Sequence, residues 1–221
     1  MKHQKCRVIV WGAGGHGKVI VDALLASESC DLLGILDDDP MKAGTTLLGV
    51  QVFQSPGGVR SLLDTLDFDG VAIGIGDNYI RNKKFRELSS CGLKPVNVIH
   101  PDAHLSRFVE LGVGVTILAG ATVNPGTVIE DNVCVNTAAS IDHDNYLESD
   151  CHVFPNATLT GGVRVGKFAY VGSGAVVAPN IVVHEYSQVG AGAVVLKDVP
   201  EGVIVAGSPA MEIGKQSKRP G

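Results

Sequence analysis

Hydrophobic positions follow two different periods along this chain. Up to about Leu93, short apolar runs alternate with segments of helical spacing. The run "CRVIVW" is continuous and β-branched, as a strand buried on both faces requires. "KVIVDALLAS" follows with helical spacing and predicts a helix. "LLGILDDDP" predicts a second strand ending in acids, "GVQVF" a short third, and "GVAIGIG" another buried strand. "PGGVRSLLDTL" predicts a helix with Pro near its start. "DNYIRNKKFRELSSCG" predicts one with Asp or Asn at its cap and Gly at its end. This alternation builds a small open parallel sheet with helices on its faces.

From Ile99 the rule changes. Steps of six land on Ile99, Leu105, Leu111, Ile117, Val123, Ile129, Val135, Ile141, Leu147, Val153, Leu159, Val165, Val171, Val177, Val183, Val189 and Val195. With aliphatic residues at about one site in four, chance does not produce such a run. Four residues after each stands mostly a small residue or valine, among them Ala103, Ala121, Ala139, Ala157, Ala169, Ala175 and Ala193. A strict hexad predicts a parallel β-helix, with three sides of about six residues making one coil of about 18. The aliphatic residue and the small one two places before it point inward. The second and third residues after it turn the corner. Stacked coils lie about 4.8 Å apart. The unbroken register gives between five and six coils to Pro200. The division falls at residues 1–98 and 99–221. Such a prism has no room for a cavity of its own, so its sites lie on the outside, between chains.

Composition narrows the classes. In 221 residues, 18 Lys and Arg face 23 Asp and Glu, a net charge of −5. No basic run or nucleic-acid motif is present, so no nucleic-acid partner is expected. Cys6, Cys30, Cys91, Cys134 and Cys151 form no C-x-x-C pair and read as reduced cytosolic thiols. No signal peptide and no membrane-spanning apolar run is visible, so a cytoplasmic protein without membrane insertion is expected.

Two constellations carry chemistry. "GAGGHG", Gly12 to Gly17, fits G-x-G-x-x-G between a strand and a helix. Glycines such as Gly14 and Gly15 let backbone N–H groups approach a phosphate, and the helix N-terminus favours its charge. His16 lies within the loop, in reach of what it holds. Asp37 and Asp38 end the next strand, where a ribose- or base-binding carboxylate sits. A dinucleotide needs two mononucleotide halves, and fewer than 100 residues supply one and a fragment. The loop therefore reads as a Rossmann-like holder for the diphosphate of a nucleotide sugar.

The second constellation is His143, flanked by Asp142 and Asp144. It is second after Ile141 and so projects outward from a corner. One coil later the same corner carries Gly161. A carboxylate beside an imidazole fixes its tautomer and raises its basicity. A base beside an N–H donor suits acyl transfer. The residues alone equally allow a polar corner with a turn glycine. His152, nine residues on, falls on the opposite side of the prism, so the two histidines cooperate only across chains.

The hexads and the ending "VVLKDVPEGVIVAGSPAMEIG" resemble the left-handed β-helix acyltransferases, here Lys197 to Pro200 and Gly207 to Ala210. With "GAGGHGKV" in front, nearly the whole chain resembles the sugar O/N-acyltransferases. That family includes sialic acid O-acetyltransferases and N-acetyltransferases of nucleotide-linked 4-amino sugars. The resemblance implies acetyl-CoA as co-substrate, no metal, and a homotrimer with sites between prisms. It implies His143 as general base, an adjacent acid that is commonly Glu and here is Asp144, and Gly161 as oxyanion donor. Either Asp142 or Asp144 orients the ring. It further implies Gly74 and Asn136 as acceptor contacts, and His152, Gly161, Ser173 and Ala191 along the coenzyme A groove. The expected reaction is N-acetylation of a nucleotide-linked amino sugar, with O-acetylation of a sialic acid or related sugar as the alternative. Zinc-dependent β-helix carbonic anhydrases use a close histidine pair, which the spacings of His143, His152 and His184 do not reproduce.

Overall fold

A computed structural model of the chain describes residues 5–54, 58–62 and 66–216. Its internal contacts divide it into two units, Met1–Pro101 and Asp102–Gly221. The first unit runs β1 (Cys6–Trp11), α1 (Gly15–Ala26), β2 (Cys30–Asp37), β3 (Thr46–Leu47), β4 (Val50–Gln54), β5 (Gly70–Ile73) and α2 (Asn78–Ser90). The sheet order is β3-β4-β2-β1-β5, parallel except for the β3–β4 pair. The continuous apolar run of β1 is explained by its central place: Val8, Ile9, Val10 and Trp11 are all buried. Helix α1 buries Ile20, Val21 and Leu24, one helical stripe. Of the helix expected from Pro56 to Leu66, Val59–Leu62 is a 3₁₀ turn, preceded by Gly58 at φ +67°. Residues 55–57 and 63–65 lie outside the described residues.

Because β1 sits between β2 and β5, the chain leaves it first to one side and later to the other. Open α/β sheets bind ligands beyond the strand ends at such a switch point. Gly12, Asp37 and Gly74 stand at these three ends. A Cβ on Gly12 would come 2.7 Å from the Gly74 carbonyl oxygen, and one on Gly74 2.8 Å from the Gly17 Cα. A Cβ on Gly17 would run into the Gly12 carbonyl. These three glycines press the start of α1 against the strand ends.

The second unit is the parallel β-helix that the hexads predict. The strand ladder on each side is only two residues long, the aliphatic residue and the one before it. Face I stacks Thr116–Ile117, Cys134–Val135, His152–Val153, Tyr170–Val171 and Gln188–Val189. Face II stacks His104–Leu105, Thr122–Val123, Ser140–Ile141, Thr158–Leu159, Val176–Val177 and Val194–Val195. Face III stacks Glu110–Leu111, Val128–Ile129, Tyr146–Leu147, Arg164–Val165 and Val182–Val183. Behind face II, Ala121, Ala139, Ala157, Ala175 and Ala193 are buried beside Val123, Ile141, Leu159, Val177 and Val195. Burying each of these larger aliphatics contributes about 1.5–3 kcal/mol. The third residue after the aliphatic one takes a left-handed conformation, as at Asn132, Asp144 and Asn180. Asp and Asn tolerate it because the short polar side chain bonds locally. A terminal antiparallel pair, Val203–Ala206 with Met211–Lys215, closes face I.

Candidate active site

In the first unit a cavity of about 380 Å³ opens at the switch point. Gly14, Gly15, His16, Asp37, Asp38 and Gly74 line it, with Trp11, Lys42 and Ile80 on its walls. Gly14 is the N-cap of α1, with no side-chain cap and no acid in the first turn. The first N–H groups of a helix have no intrahelical partner, so an anion finds donors there. A Cβ at Gly14 or Gly15 would meet nothing within 4 Å. These two glycines leave the backbone open to a ligand, while Gly12 and Gly17 serve packing.

The acids divide the work. Asp37 accepts from the Ala13 N–H at 2.6 Å, the Asp39 N–H at 2.9 Å and Lys42 Nζ at 3.0 Å. Burial pushes its pKa up, but these three donors outweigh it and hold the carboxyl below its ordinary range. Asp37 thereby braces the glycine loop. Asp38 accepts from Trp11 Nε1 at 3.1 Å and pairs with Lys84 at 2.7 Å, yet its carboxylate stays about half-exposed. Burial, and then the charge of Arg81, push the His16 pKa down to about 4, so the ring is neutral at pH 7.

In the second unit His143 stands at the corner between faces II and III, beside a cavity of about 440 Å³. Its Nδ1 lies 2.8 Å from Asp144 Oδ2. Asp142 turns elsewhere: it accepts from Asn124 Nδ2 at 2.9 Å and from the His143 backbone N–H at 2.8 Å. So Asp144 orients the ring, and Asp142 fixes the turn beneath it. A Cβ on Gly161 would come 2.7 Å from His143 Nε2, and one on Gly126 would run into the Asp144 carboxylate. Glycine at these two corners is the condition for the His–Asp pair to lie where it does. The Asp144 hydrogen bond, and then the charge of Asp142, raise the His143 pKa above its ordinary value.

Residues 7–88 match the PglD N-terminal domain family. The perosamine N-acetyltransferase of Caulobacter crescentus, solved with coenzyme A and GDP-perosamine, is 38% identical with a TM-score of 0.88, over 94% of this chain and 97% of that one. The chain belongs to the sugar O/N-acyltransferases of the hexapeptide-repeat, left-handed β-helix class. The acetyltransferase domain of PglB from Neisseria gonorrhoeae, solved with acetyl coenzyme A, is 34% identical with a TM-score of 0.86, over 95% and 100% of the two chains. The GDP-perosamine N-acetyltransferase of Escherichia coli O157:H7 is 27% identical over 212 residues, 92% of this chain and 95% of that protein.

Within this acyltransferase the structure brings some expected site residues together and separates others. His143, Asp144 and Gly161 share one corner and one cavity. Asn136 meets His152, its Nδ2 3.1 Å from the ring Nε2. His152 is 2% exposed and stacks on Phe154, with centroids 4.0 Å apart. Ser173 and Ala191 lie on the corner between faces I and II, where the Gly192 N–H donates to the Ser173 carbonyl at 2.9 Å. Among the described residues, no group of three or more His, Cys, Asp or Glu is placed to hold a metal ion, and no helix is long and apolar enough to cross a membrane.

Sequence reasoning missed Arg81 and Lys84. Arg81, 2% exposed, donates to the Gly76 carbonyl at 3.3 Å. Lys84 reaches Asp38 and lies over the Trp11 ring, 4.0 Å from its centroid. A signal was present: the buried stripe of α2 is Asn78, Arg81, Lys84 and Leu88, a helical period carried mostly by polar residues.

Proposed function

We propose that this chain transfers the acetyl group of acetyl-CoA to the amino group of a nucleotide-linked 4-amino-4,6-dideoxy sugar, for surface glycan biosynthesis in the cytoplasm. The observation that carries the reading is the exposed His143–Asp144 pair set over Gly161. Asp144 accepts a hydrogen bond from the Nδ1–H, which leaves the Nε2 lone pair for catalysis. The sugar amine attacks the thioester carbonyl and a C–N bond forms. Nε2 removes the proton from the attacking nitrogen, and the Gly161 N–H donates to the oxyanion. Collapse breaks the C–S bond, and coenzyme A leaves as the thiolate. No covalent enzyme intermediate is needed. Two further complexes of the Caulobacter enzyme with coenzyme A and GDP-perosamine carry a histidine replaced by asparagine or by alanine.

The acceptor's diphosphate rests on the N-terminus of α1 at Gly14 and Gly15. Asp38, with the freer carboxylate, addresses the ribose or base, and His16 contributes a neutral ring. Coenzyme A runs along Ser173 and Ala191. That edge and the His143 corner are different corners of one prism, so a complete site takes one from each of two neighbours, and a trimer closes the ring. The deciding experiment measures thiol release with GDP-, UDP- and dTDP-linked 4-amino sugars and with free sialic acid. Release should require a nucleotide-linked amino sugar. Turnover of free sialic acid, with none on the nucleotide sugars, would establish O-acetylation instead.

Gly14→Val tests the handle. Gly14 has φ −89°, extended backbone that any residue adopts, and a Cβ there meets nothing within 4 Å. The variant should fold normally and raise the acceptor KM at least tenfold, a loss of about 1.4 kcal/mol, with the acetyl-CoA KM unchanged. The reverse pattern would exchange the roles of the two units.

Asp144→Asn tests the orienting acid. The base works only when neutral, and Asp144 raises its pKa, so it moves the acid limb of kcat/KM to higher pH. Removing that charge should shift the limb to lower pH and cost turnover less than loss of His143 does, by about tenfold. An unmoved limb would detach Asp144 from the base.

A further inference from the structure

We propose that Asn145 is a positioning residue that fixes the offset between His143 and Gly161. Asn145 stands four residues after Ile141, at an inward position of the prism, and is 1% exposed. The same column is filled in other coils by Val109, Thr127, Val163, Ile181 and Val199. Its Nδ2 donates to the Asp142 carbonyl at 2.7 Å, the His143 carbonyl at 3.3 Å and the Thr160 carbonyl at 3.0 Å. Asp142 and His143 form the turn that presents the base. Thr160 precedes Gly161, one coil on. A single buried amide therefore ties the base's turn to the donor's turn.

The other end of the side chain gains nothing: Oδ1 is buried and accepts no hydrogen bond among the described residues. A valine, as at Val163 and Val199 in this column, would remove the orphaned acceptor but also the donor to the Thr160 carbonyl, so packing alone gives the asparagine no clear advantage. What the asparagine adds over valine is the link between coils. Thr127, one coil earlier, donates to the Asp142 carbonyl at 3.0 Å and supports the same turn from the other side. Asn145 touches no reacting atom, and it acts through the two groups that do.

The inference rests on His143 as base and Gly161 as donor. In Asn145→Val the two turns lose their common anchor, and a misplacement well below 1 Å should cost kcat about tenfold. Both KM values should hold. The acid limb should stay in place, because the bond from Nδ1 to Asp144 survives. Tm should shift by no more than about 3 °C. Asn145→Thr, which keeps one donor, should recover part of the rate. A normal kcat in folded Asn145→Val, with His143→Ala inactive, overturns this inference alone. Near-normal turnover in His143→Ala instead overturns the base reading, and the positioning role with it. A kcat loss that only follows a lost folded fraction assigns Asn145 to the fold. If Asn145→Val does not fold, Asn145→Thr decides: reduced kcat at unchanged KM supports positioning, and normal kcat refutes it.

Discussion

His143→Ala should lower turnover by about 10² to 10⁴, the usual contribution of a general base, and leave coenzyme A binding nearly intact. The ring is 61% exposed, so its removal takes little from the packed interior. The turn is held independently of the ring. Asp142 accepts the His143 N–H and the Asn124 side chain, and Asn145 and Thr127 hold the Asp142 carbonyl. The loss should therefore appear in kcat as a lost proton acceptor, not in Tm as a lost fold. The residual rate should reflect the proposed Gly161 donor and proximity, which the substitution leaves in place. Single-turnover thiol release beside calorimetric coenzyme A binding separates the two. Near-normal turnover in the folded variant would remove His143 from the chemistry.

The repeat unit was legible in the sequence because a β-helix is nearly one-dimensional. Each hexad repeats the same contacts, so the aliphatic positions give the inward set, and counting from Ile141 places His143 and Gly161 at one corner. The same counting separates Asn136 from His143. Asn136 is first after Val135, on the face I side, and the structure brings it to His152. The resemblance implies Asn136 as an acceptor contact, and within one chain the face II strand Ser140–Ile141 separates it from His143. The glycine loop was legible as a loop but not in its division of labour. Gly12 and Gly17 fit because backbone approaches backbone, whereas Gly14 faces open space. That contrast lies in three-dimensional packing, and G-x-G-x-x-G is the same string either way. Asp37 shows the limit most clearly. Its place at a strand end suggests a ligand contact; what that place does not reveal is that Ala13, Asp39 and Lys42 also donate to its carboxylate. The Ala13 N–H, twenty-four residues away, leaves no periodic trace.

Mixing two inactive proteins should restore activity. In one chain the His143 corner lies between faces II and III, and Ser173 and Ala191 lie between faces I and II. A straight pantetheine running along the second corner cannot place its thioester at the first corner of the same prism. In the proposed trimer it would do so at the His143 corner of a neighbour. His143→Ala keeps an intact coenzyme A edge. Ser173→Trp keeps an intact base corner and fills the edge with an indole; Ser173 is exposed, so the ring stays outside the fold. Each protein alone should be inactive. In an equal mixture after subunit exchange, a site regains both halves when its base corner comes from one protein and its edge from the other. For random assembly into rings this gives about one quarter of the sites, so activity should return to about a quarter of the wild-type level at the same total concentration. Exchange must be verified separately, for example by native mass spectrometry of differently tagged subunits. Demonstrated exchange with no recovery, or full activity in a monomer, would mean that each site is built within one chain, and the placement of coenzyme A along Ser173 and Ala191 would fall while His143 kept its role.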